Sequence, residues 1–185
     1  MPKLTYIKTF LKDKNVGAVA KSSKFAVEKI SAVVDLSRDR IIVEYGPGDG
    51  VLTKVLLRKM TRGSRLVAIE TNPSFVTHLS KKFNDPRLMV IHDKAEHCQR
   101  ILKKMGVHEA DYVFSGIPFS FLPKHARHDI VENTRNILAS GGKFIVYQYS
   151  SSMVKPLEKI FGNVRVSFIP LNLPSYFLME AIKER

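Results

Sequence analysis

The sequence predicts an α/β fold in which helices cover both faces of a mostly parallel β-sheet. Short runs of β-branched and aromatic residues alternate with helical patterns from residue 40 onward, and a glycine-rich loop follows the first run. Two further β-rich runs at the end of the chain are separated by only a short link. We therefore expect seven strands, of which the last two form an antiparallel pair.

Five strand candidates and five helix candidates alternate along the chain. The strand candidates are bounded by Gly, Pro, Asp or Asn and lie at residues 41–45, 65–70, 87–92, 111–116 and 143–150. The helix candidates lie at residues 51–61, 73–83, 95–105, 123–139 and 152–161. The terminal strand candidates, residues 163–170 and 176–183, are joined by the tight LNLPS link.

The first 39 residues differ in character, and we expect them to form a helical segment in front of a main domain at residues 40–185. Leu4, Ile7, Phe10 and Leu11 recur at helical spacing with lysines between and beside them, which predicts a basic amphipathic helix. Such a helix either packs on the sheet or lies in the headgroup layer of a membrane, where it would hold the protein or act as a lid.

The composition is that of an ordinary packed domain with an unusually basic charge. The 30 Lys and Arg residues against 17 Asp and Glu residues give a formal net charge of +13, which indicates an anionic partner such as nucleic acid or an acidic lipid surface. A single cysteine excludes an internal disulfide, and no run approaches the roughly 20 apolar residues of a membrane span. We expect a cytoplasmic protein with peripheral membrane association, without a metal and without an obligate protein partner.

The segment EYGPGDG, residues 44–50, is the candidate cofactor loop. A strand ends at Glu44 and Tyr45 and a helix begins near Val51, so the glycines lie where the backbone turns sharply and approaches a ligand. A dinucleotide fingerprint needs its third glycine three positions after the second, but here it comes one position early, at Gly50. The spacing favours S-adenosylmethionine, which carries no pyrophosphate.

Acidic residues end the next two strands. Glu70 lies about 20 residues beyond the glycine loop, where its carboxylate can accept both ribose hydroxyls of an adenosine. Asp93 closes the third strand, where it can accept the adenine amino group. Because the ends of parallel strands line one crevice, these features together predict a cofactor site. Its expected residues are Glu44, Tyr45, Gly46, Pro47, Gly48, Gly50, Glu70, Thr71, Asp93, Lys94, Ala95 and Ser115.

These residues resemble two groups of enzymes. The glycine loop, Glu70 and Asp93 are similar to those of class I S-adenosylmethionine-dependent methyltransferases, which have a Rossmann-like sheet. Over almost the whole chain, FLKDKNVGAVAKSSKFAVEKI, VEYGPGDGVLTKVLL, SGIPFSFLP and NLPSY resemble the soluble bacterial-type phospholipid N-methyltransferases. That resemblance implies stepwise methylation of phosphatidylethanolamine toward phosphatidylcholine, with an amphipathic N-terminal helix on anionic membranes. These enzymes are also similar to the ribosomal RNA adenine dimethyltransferases.

The segment SGIPF, residues 115–119, is the candidate acceptor loop. Methyltransferases acting on adenine have Asn or Asp after the fourth strand, then one or two residues including Pro, then an aromatic residue. The side-chain oxygen holds the exocyclic amine, and the ring stacks on the base. Pro118 and Phe119 match this pattern, but Gly116 stands where the oxygen should be. The loop favours an alkyl amine approached by backbone carbonyls, unless the hydroxyl of Ser115 substitutes.

Aromatic residues expected near the crevice favour the same substrate. A primary amine that gains three methyl groups ends as a quaternary ammonium, which aromatic faces hold without an N–H group. Phe119, Phe121, Tyr149 and Tyr176 are candidates for these rings, and Tyr149 also for orienting the amine or passing its proton to water. The expected acceptor-site residues are Tyr149, Ser115, Gly116, Ile117, Pro118 and Phe119.

The leading hypothesis is transfer of methyl groups from S-adenosylmethionine to a phospholipid amine at an anionic membrane surface. The alternative is an RNA adenine N-methyltransferase, whose lysines would grip phosphates instead. A ribosomal dimethyltransferase is expected to carry an appended RNA-binding domain, and we expect none here. A third alternative, a binding protein with this fold and no catalysis, is disfavoured by the intact glycine loop with Glu70 and Asp93.

Overall fold

The computed structural model describes residues 23–170 and 175–184. Within them, seven strands form one sheet: β1 (Ile41–Tyr45), β2 (Arg65–Glu70), β3 (Leu88–His92), β4 (Ala110–Ser115), β5 (Leu138–Gln148), β6 (Val164–Ile169) and β7 (Tyr176–Ile182). Their order is β3-β2-β1-β4-β5-β7-β6. Strands β1 to β5 are parallel, and β7 runs antiparallel to both β5 and β6. The predicted fold class and the terminal antiparallel pair are confirmed.

The described helices lie between these strands. They are α1 (Lys24–Ser31), α2 (Val51–Lys59), α3 (Pro73–Lys82), α4 (Cys98–Lys104), α5 (Lys124–Ile137) and α6 (Val154–Phe161), with short 3-10 turns at Ala95–His97 and Phe119–Phe121. Local signals set two helix starts, since Ser23 and Asn72 accept backbone N–H bonds at the beginning of α1 and α3. In the described part of the chain, no helix has the length and apolar character needed to cross a bilayer.

The core has two layers, one on each face of the sheet. Alternating residues of the central strands, such as Val43 and Val113, pack against α4, α5 and α6. Their neighbours Ile42 and Phe114 point to the other face and pack against α1 and α2. The central strands are therefore buried on both sides, as their continuous apolar character predicts.

Helix α1 belongs to the core although it lies in the segment before residue 40. Its Ala26, Val27 and Ile30 are almost completely buried, and Glu28 pairs with Lys59 of α2 at 2.8 Å. Residues 1–22, with the predicted amphipathic helix, lie outside the described residues. The packed part of the molecule thus begins well before the predicted domain boundary at residue 40.

Strand β5 is longer than the sequence predicts, because it begins at Leu138 rather than at residue 143. Leu138 pairs with Ala110, and the register then shifts before Tyr112 pairs with Lys143. Gly141 adopts a left-handed φ of 79° within this irregular stretch, and its N–H donates to Lys183 O (2.7 Å). The glycines that appeared to precede the strand form a bulge inside it.

Candidate active site

The predicted site residues lie along one end of the sheet, here called the crevice edge: the C-terminal ends of β1 to β5, the matching ends of β6 and β7, and the residues next to them. Tyr45 is in register with Ile69 and with Ser115. Backbone bonds continue the ladder past these ends, from Gly46 N–H to Ile69 O (2.9 Å) and from Gly116 N–H to Tyr45 O (3.1 Å). The glycine loop, both acidic strand ends and the acceptor loop therefore lie side by side.

Each glycine of the loop has a left-handed φ, but Gly48 and Gly50 meet different surroundings. Their φ values are 57° and 78°. A Cβ on Gly50 would lie 2.6 Å from Leu79 Cδ2 and from Phe83 Cε2, whereas a Cβ on Gly48 would meet no atom of the described residues within 4 Å. Gly50 is thus required by packing at the start of α2, while Gly48 borders open space where a ligand can approach the backbone.

Glu44 is buried at the end of β1 with an incomplete set of hydrogen bonds. The Thr53 hydroxyl donates to its Oε2 (2.7 Å), but its Oε1 has no hydrogen-bond partner among the described residues. Burial raises the pKa of this carboxyl to about 7. A buried acceptor without a donor is unusual in a folded protein. It fits a ligand that brings an N–H or cationic donor to the glycine loop, as the amino acid part of S-adenosylmethionine does.

Glu70 is held in place by the backbone on either side of the crevice. Gly48 N–H donates to its Oε2 (3.1 Å) and Asn72 N–H to its Oε1 (2.8 Å), and Thr71 Oγ1 lies 3.5 Å from Oε1. A carboxylate has about four lone-pair sites, so sites remain for two ribose hydroxyls. The carboxylate thus joins the glycine loop to the end of β2, in the position that the sequence predicts.

Asp93 lies at the end of β3 within a network that the sequence analysis did not predict. Its Oδ1 is 2.6 Å from His97 Nδ1 and accepts from Lys94 N–H (2.8 Å), while its Oδ2 accepts from Arg100 (2.9 Å). The hydrogen bond with His97, followed by that from Lys94, lowers the pKa of Asp93 to about 2. Oδ2 accepts only one of these bonds, so it has a free lone pair with which it can accept a further hydrogen bond, such as one from an adenine amino group. Ala95 is buried and opens the turn that presents His97.

Tyr45 contributes only its backbone to the crevice edge. Its ring is completely buried among α4 to α6, and its hydroxyl lies 3.1 Å from Thr134 Oγ1. Burial raises the pKa of this phenol well above its ordinary value. The alternation of strand residues explains the position, since Glu44 and Tyr45 must point to opposite faces. Pro47 also contributes its backbone, because its carbonyl accepts a hydrogen bond from Gly50 N–H (2.9 Å).

The acceptor loop divides its side chains between the two faces of the sheet. Ser115 is completely buried, and its Oγ lies 3.4 Å from the N–H of Ile117. Ile117 packs beside the glycine loop, where its Cγ1 would be 3.2 Å from a Cβ on Gly46. Pro118 then precedes the turn Phe119–Phe121. Gly116 faces the layer opposite to Ser115.

The ring of Phe119 corrects the expectation of an aromatic face at the crevice. It is completely buried in the layer formed with α4 to α6. The backbone N–H of Phe119 donates to Gln148 Oε1 (3.2 Å), which ties the turn to the end of β5. The residue therefore anchors the acceptor loop, because its turn directs the ring inward.

Tyr147 is the site residue that sequence reasoning missed. Ser115 is in register with Val146, so Gly116 lies beside Tyr147. A Cβ on Gly116 would lie 2.6 Å from the Tyr147 hydroxyl oxygen and 2.9 Å from its Cζ. The Tyr147 phenol therefore lies directly against the first residue of the acceptor loop that follows β4. The signal that could have found it is the strand register, which a sequence alone does not give.

Tyr147, Tyr149 and Tyr176 form an aromatic cluster at the crevice edge. The rings of Tyr149 and Tyr176 stack at 5.2 Å, and Tyr176 meets Tyr147 edge to face at 5.9 Å. Burial raises the pKa of both Tyr147 and Tyr149 above the ordinary value for a phenol. These hydroxyls remain protonated near neutral pH, so they can orient an amine but are poor proton acceptors.

Comparisons with known proteins identify similar sequences over most of the chain. The sequence pattern of the family described as ribosomal RNA adenine dimethylase matches residues 5–122, which is more than half of the chain. The ornithine lipid N-methyltransferase of Singulisphaera acidiphila is 28% identical over 180 residues, covering 91% of this chain and 90% of that protein. The ribosomal RNA small subunit methyltransferase A of Mycoplasma capricolum subsp. capricolum is 38% identical over 65 residues, covering 35% of this chain and 23% of that protein.

The fold has close counterparts among solved structures. The 1,6-didemethyltoxoflavin-N1-methyltransferase of Burkholderia thailandensis, solved with bound S-adenosylhomocysteine, superposes with a TM-score of 0.73 at 14% identity, over 99% of this chain and 87% of that one. At this identity the likeness concerns the fold alone. Taken with the matched family pattern and the glycine loop, it leads to one conclusion. The chain belongs to the ribosomal RNA adenine dimethylase family and is an S-adenosylmethionine-dependent methyltransferase.

Proposed function

We propose that this methyltransferase acts on the primary amine of a membrane lipid headgroup, with phosphatidylethanolamine as the first candidate substrate. The extent of the matches supports a lipid substrate. The ornithine lipid enzyme aligns over nine-tenths of both chains, whereas the ribosomal RNA enzyme of Mycoplasma capricolum aligns over about a third of this one. The glycine loop and Glu70 would bind the cofactor whether the substrate is a lipid or an RNA. The difference between the two substrates must therefore lie in the acceptor site.

The contact between Gly116 and Tyr147 is the observation that carries the proposal. Residue 116 has no side-chain oxygen for an adenine amine, and the Tyr147 phenol fills the space that a side chain at 116 would need. The hydroxyl of Ser115 cannot substitute, because it is buried on the opposite face of the sheet. Tyr147 instead offers one hydroxyl oxygen, which can accept a hydrogen bond from a small alkyl amine.

The remaining chemistry is alignment and protection from water. The cofactor supplies an electrophilic methyl group when it is bound. The lipid ammonium first loses a proton to water, because only the neutral amine has a lone pair. The glycine loop, Glu70 and Asp93 would hold the cofactor, and the neutral amine nitrogen would be the group that receives its methyl. Tyr147 and Tyr149 orient the nitrogen.

The aromatic cluster suits the products of successive transfers. Each added methyl group removes an N–H, so that hydrogen bonding weakens as the reaction advances. The stacked rings of Tyr149 and Tyr176 can hold the cationic product by cation–π attraction, at about 0.5–2 kcal/mol per ring. One site can thus accept both the unmethylated and the methylated headgroup.

Radiolabelled methyl transfer tests the proposal directly. Labelled cofactor is supplied with anionic liposomes containing phosphatidylethanolamine, with liposomes containing ornithine lipid, or with ribosomal RNA from cells that lack the adenine marks. We expect label in one or both lipids, and label in RNA alone would overturn the proposal. Glu70→Ala should abolish the label, because the carboxylate at the crevice is lost. Glu109→Ala, an exposed carboxylate at the opposite end of the sheet, is the matched control.

RNA adenine N-methylation is the second candidate, and membership of the ribosomal RNA adenine dimethylase family favours it. It requires a side-chain acceptor for the adenine amine, a role that neither Gly116 nor the buried Ser115 fills in this structure. The RNA arm of the same experiment tests it. Dimethyladenine in the digested RNA would establish this activity, and unlabelled RNA beside labelled lipid would exclude it.

A further inference from the structure

Three aromatic residues are exposed at the crevice edge, although they come from three different parts of the chain. Phe121 follows β4, Tyr149 follows β5 and Phe168 lies near the end of β6, with 40%, 37% and 58% of their surfaces exposed. Strand β6 runs parallel to β5 because β7 is antiparallel to both, so all three residues lie at the same end of the sheet. Phe168 also meets Phe177 edge to face at 5.6 Å.

Each of these rings keeps more than a third of its surface in water. Large apolar side chains that remain in water reduce the favourable burial on folding, and a group of them at one place marks an interaction site. Aromatic rings in particular concentrate at the boundary between lipid headgroups and acyl chains. Three exposed rings at the end of the sheet that carries the acceptor loop therefore point to a partner that the site itself uses.

The charges around the rings favour an anionic partner. Residues 115–128 and 148–157, which carry Phe121 and Tyr149, contain three Lys or Arg residues and neither Asp nor Glu. Two of the cations, Lys124 and Lys155, are exposed and lie in the first turns of α5 and α6, which both start at the crevice edge. Rings and lysines side by side match the headgroup layer of an acidic bilayer.

We propose that the crevice edge is a membrane-docking face, in which Phe121, Tyr149 and Phe168 enter the headgroup layer of an anionic bilayer while Lys124 and Lys155 contact its phosphates. This inference rests on the proposed function, since a lipid substrate makes such docking necessary. Lifting a two-chain lipid out of the bilayer exposes its acyl chains to water, at a cost that grows with every CH₂ group. A crevice that opens directly on the headgroups avoids that transfer.

Tryptophan fluorescence can test the docking face without background, because the chain contains no tryptophan. Phe121→Trp and Phe168→Trp place a reporter on the proposed face. Met89→Trp is the matched control, since Met89 is 47% exposed on β3 at the far side of the sheet. With vesicles of phosphatidylglycerol and phosphatidylcholine, we expect a blue shift and quenching by brominated lipids at residues 121 and 168 but not at residue 89. Unchanged emission at both positions, or equal quenching at residue 89, would overturn the inference.

The lipids are chosen so that membrane docking and methyl transfer are measured independently of each other. Neither vesicle lipid has a primary amine, so docking is measured without a methyl acceptor, and methyl transfer is measured separately on an amino lipid dispersed in detergent. Docking without any lipid methylation would overturn the proposed function and support the docking face. Lipid methylation without insertion of the rings would overturn the docking face alone. A fluorescence change with ribosomal RNA but not with vesicles would overturn the membrane-docking face and indicate a surface that binds nucleic acid.

Discussion

Glu44 carries its carboxyl group where burial opposes ionisation. Its pKa is raised to about 7 from an ordinary value of 4.5. Between these two pH values the unfolded chain releases a proton that the folded protein retains. The contribution of this group to stability is therefore complete below pH 4.5 and is lost as the pH rises through 7.

The variant Glu44→Gln tests this linkage, because the amide has a similar shape and does not titrate. A rise of the pKa from 4.5 to about 7 corresponds to about 3 kcal/mol, which the wild type should lose between pH 4.5 and pH 8 through this residue. Urea unfolding at pH 5 and pH 8 measures the free energy of unfolding of both proteins. We expect the difference between variant and wild type to shift in favour of the variant at pH 8. Parallel pH profiles would contradict the prediction.

Gly116 and Tyr147 form a pair whose effects should not be additive. A methyl group at residue 116 would overlap the Tyr147 phenol, so Gly116→Ala should lower the free energy of unfolding by about 1–3 kcal/mol. In a Tyr147→Leu background the same substitution should cost about 1 kcal/mol less, since neighbouring residues couple at this scale. Denaturant unfolding of the two single variants and the double variant gives the coupling energy. Strictly additive costs would show that the two residues do not compete for space.

At the scale of elements, Gly50 of the glycine loop is needed for packing and Gly48 is expected to be needed for cofactor binding, and substitutions can separate these two roles. Gly50→Ala adds a side chain in a left-handed conformation and in contact with Leu79 and Phe83. It should cost about 1–2 kcal/mol for the backbone and about 1–3 kcal/mol more for overpacking. Gly48→Ala should cost only the backbone term, because it meets open space, but it should weaken cofactor binding. Urea unfolding and calorimetric titration with S-adenosylhomocysteine distinguish the two, and equal loss of stability would contradict the difference.

The elements were predictable because their signals are local. Apolar runs and glycine turns located the seven strands and helices α2 to α6 to within a few residues, except for the start of β5, where two glycines form a bulge rather than a boundary. Helix α1 was not among the helix candidates, because the amphipathic pattern was placed nearer to the N-terminus. The positions of Glu70 and Asp93 also followed, since parallel strand ends share an edge. Tyr147 beside Gly116, and His97 and Arg100 beside Asp93, depend on register and side-chain direction, which periodicity does not fix.

At the scale of the whole molecule, the sheet order brings distant parts of the chain to one working edge. The terminal antiparallel pair returns Tyr176 to the side of Tyr149, so the last strand helps to line an acceptor site whose glycine loop lies more than 100 residues earlier. The chain as a whole carries a net charge of +13. Charge and aromatic rings should then contribute to membrane binding in different ways.

Salt separates these two contributions. Screening shortens the reach of charges to about 8 Å at physiological ionic strength and about 3 Å at 1 M, but it leaves ring insertion largely intact. We expect binding to anionic vesicles to fall steeply between 50 mM and 500 mM salt, with a residual bound fraction that is lost in Phe168→Ser. Vesicle sedimentation across a salt series measures both quantities. A residual fraction equal in Phe168→Ser and wild type would contradict the role of the ring.

The close approach of Gly116 to the Tyr147 hydroxyl also bears on how an acceptor preference can change during evolution. Introducing Asn at residue 116 brings a side chain against a filled space, and removing Tyr147 first leaves the site without its hydroxyl. Either step alone costs stability or activity, so the two residues are expected to change together or not at all. Within this family, the identity of the two residues as a pair should distinguish the acceptor classes better than either residue does alone.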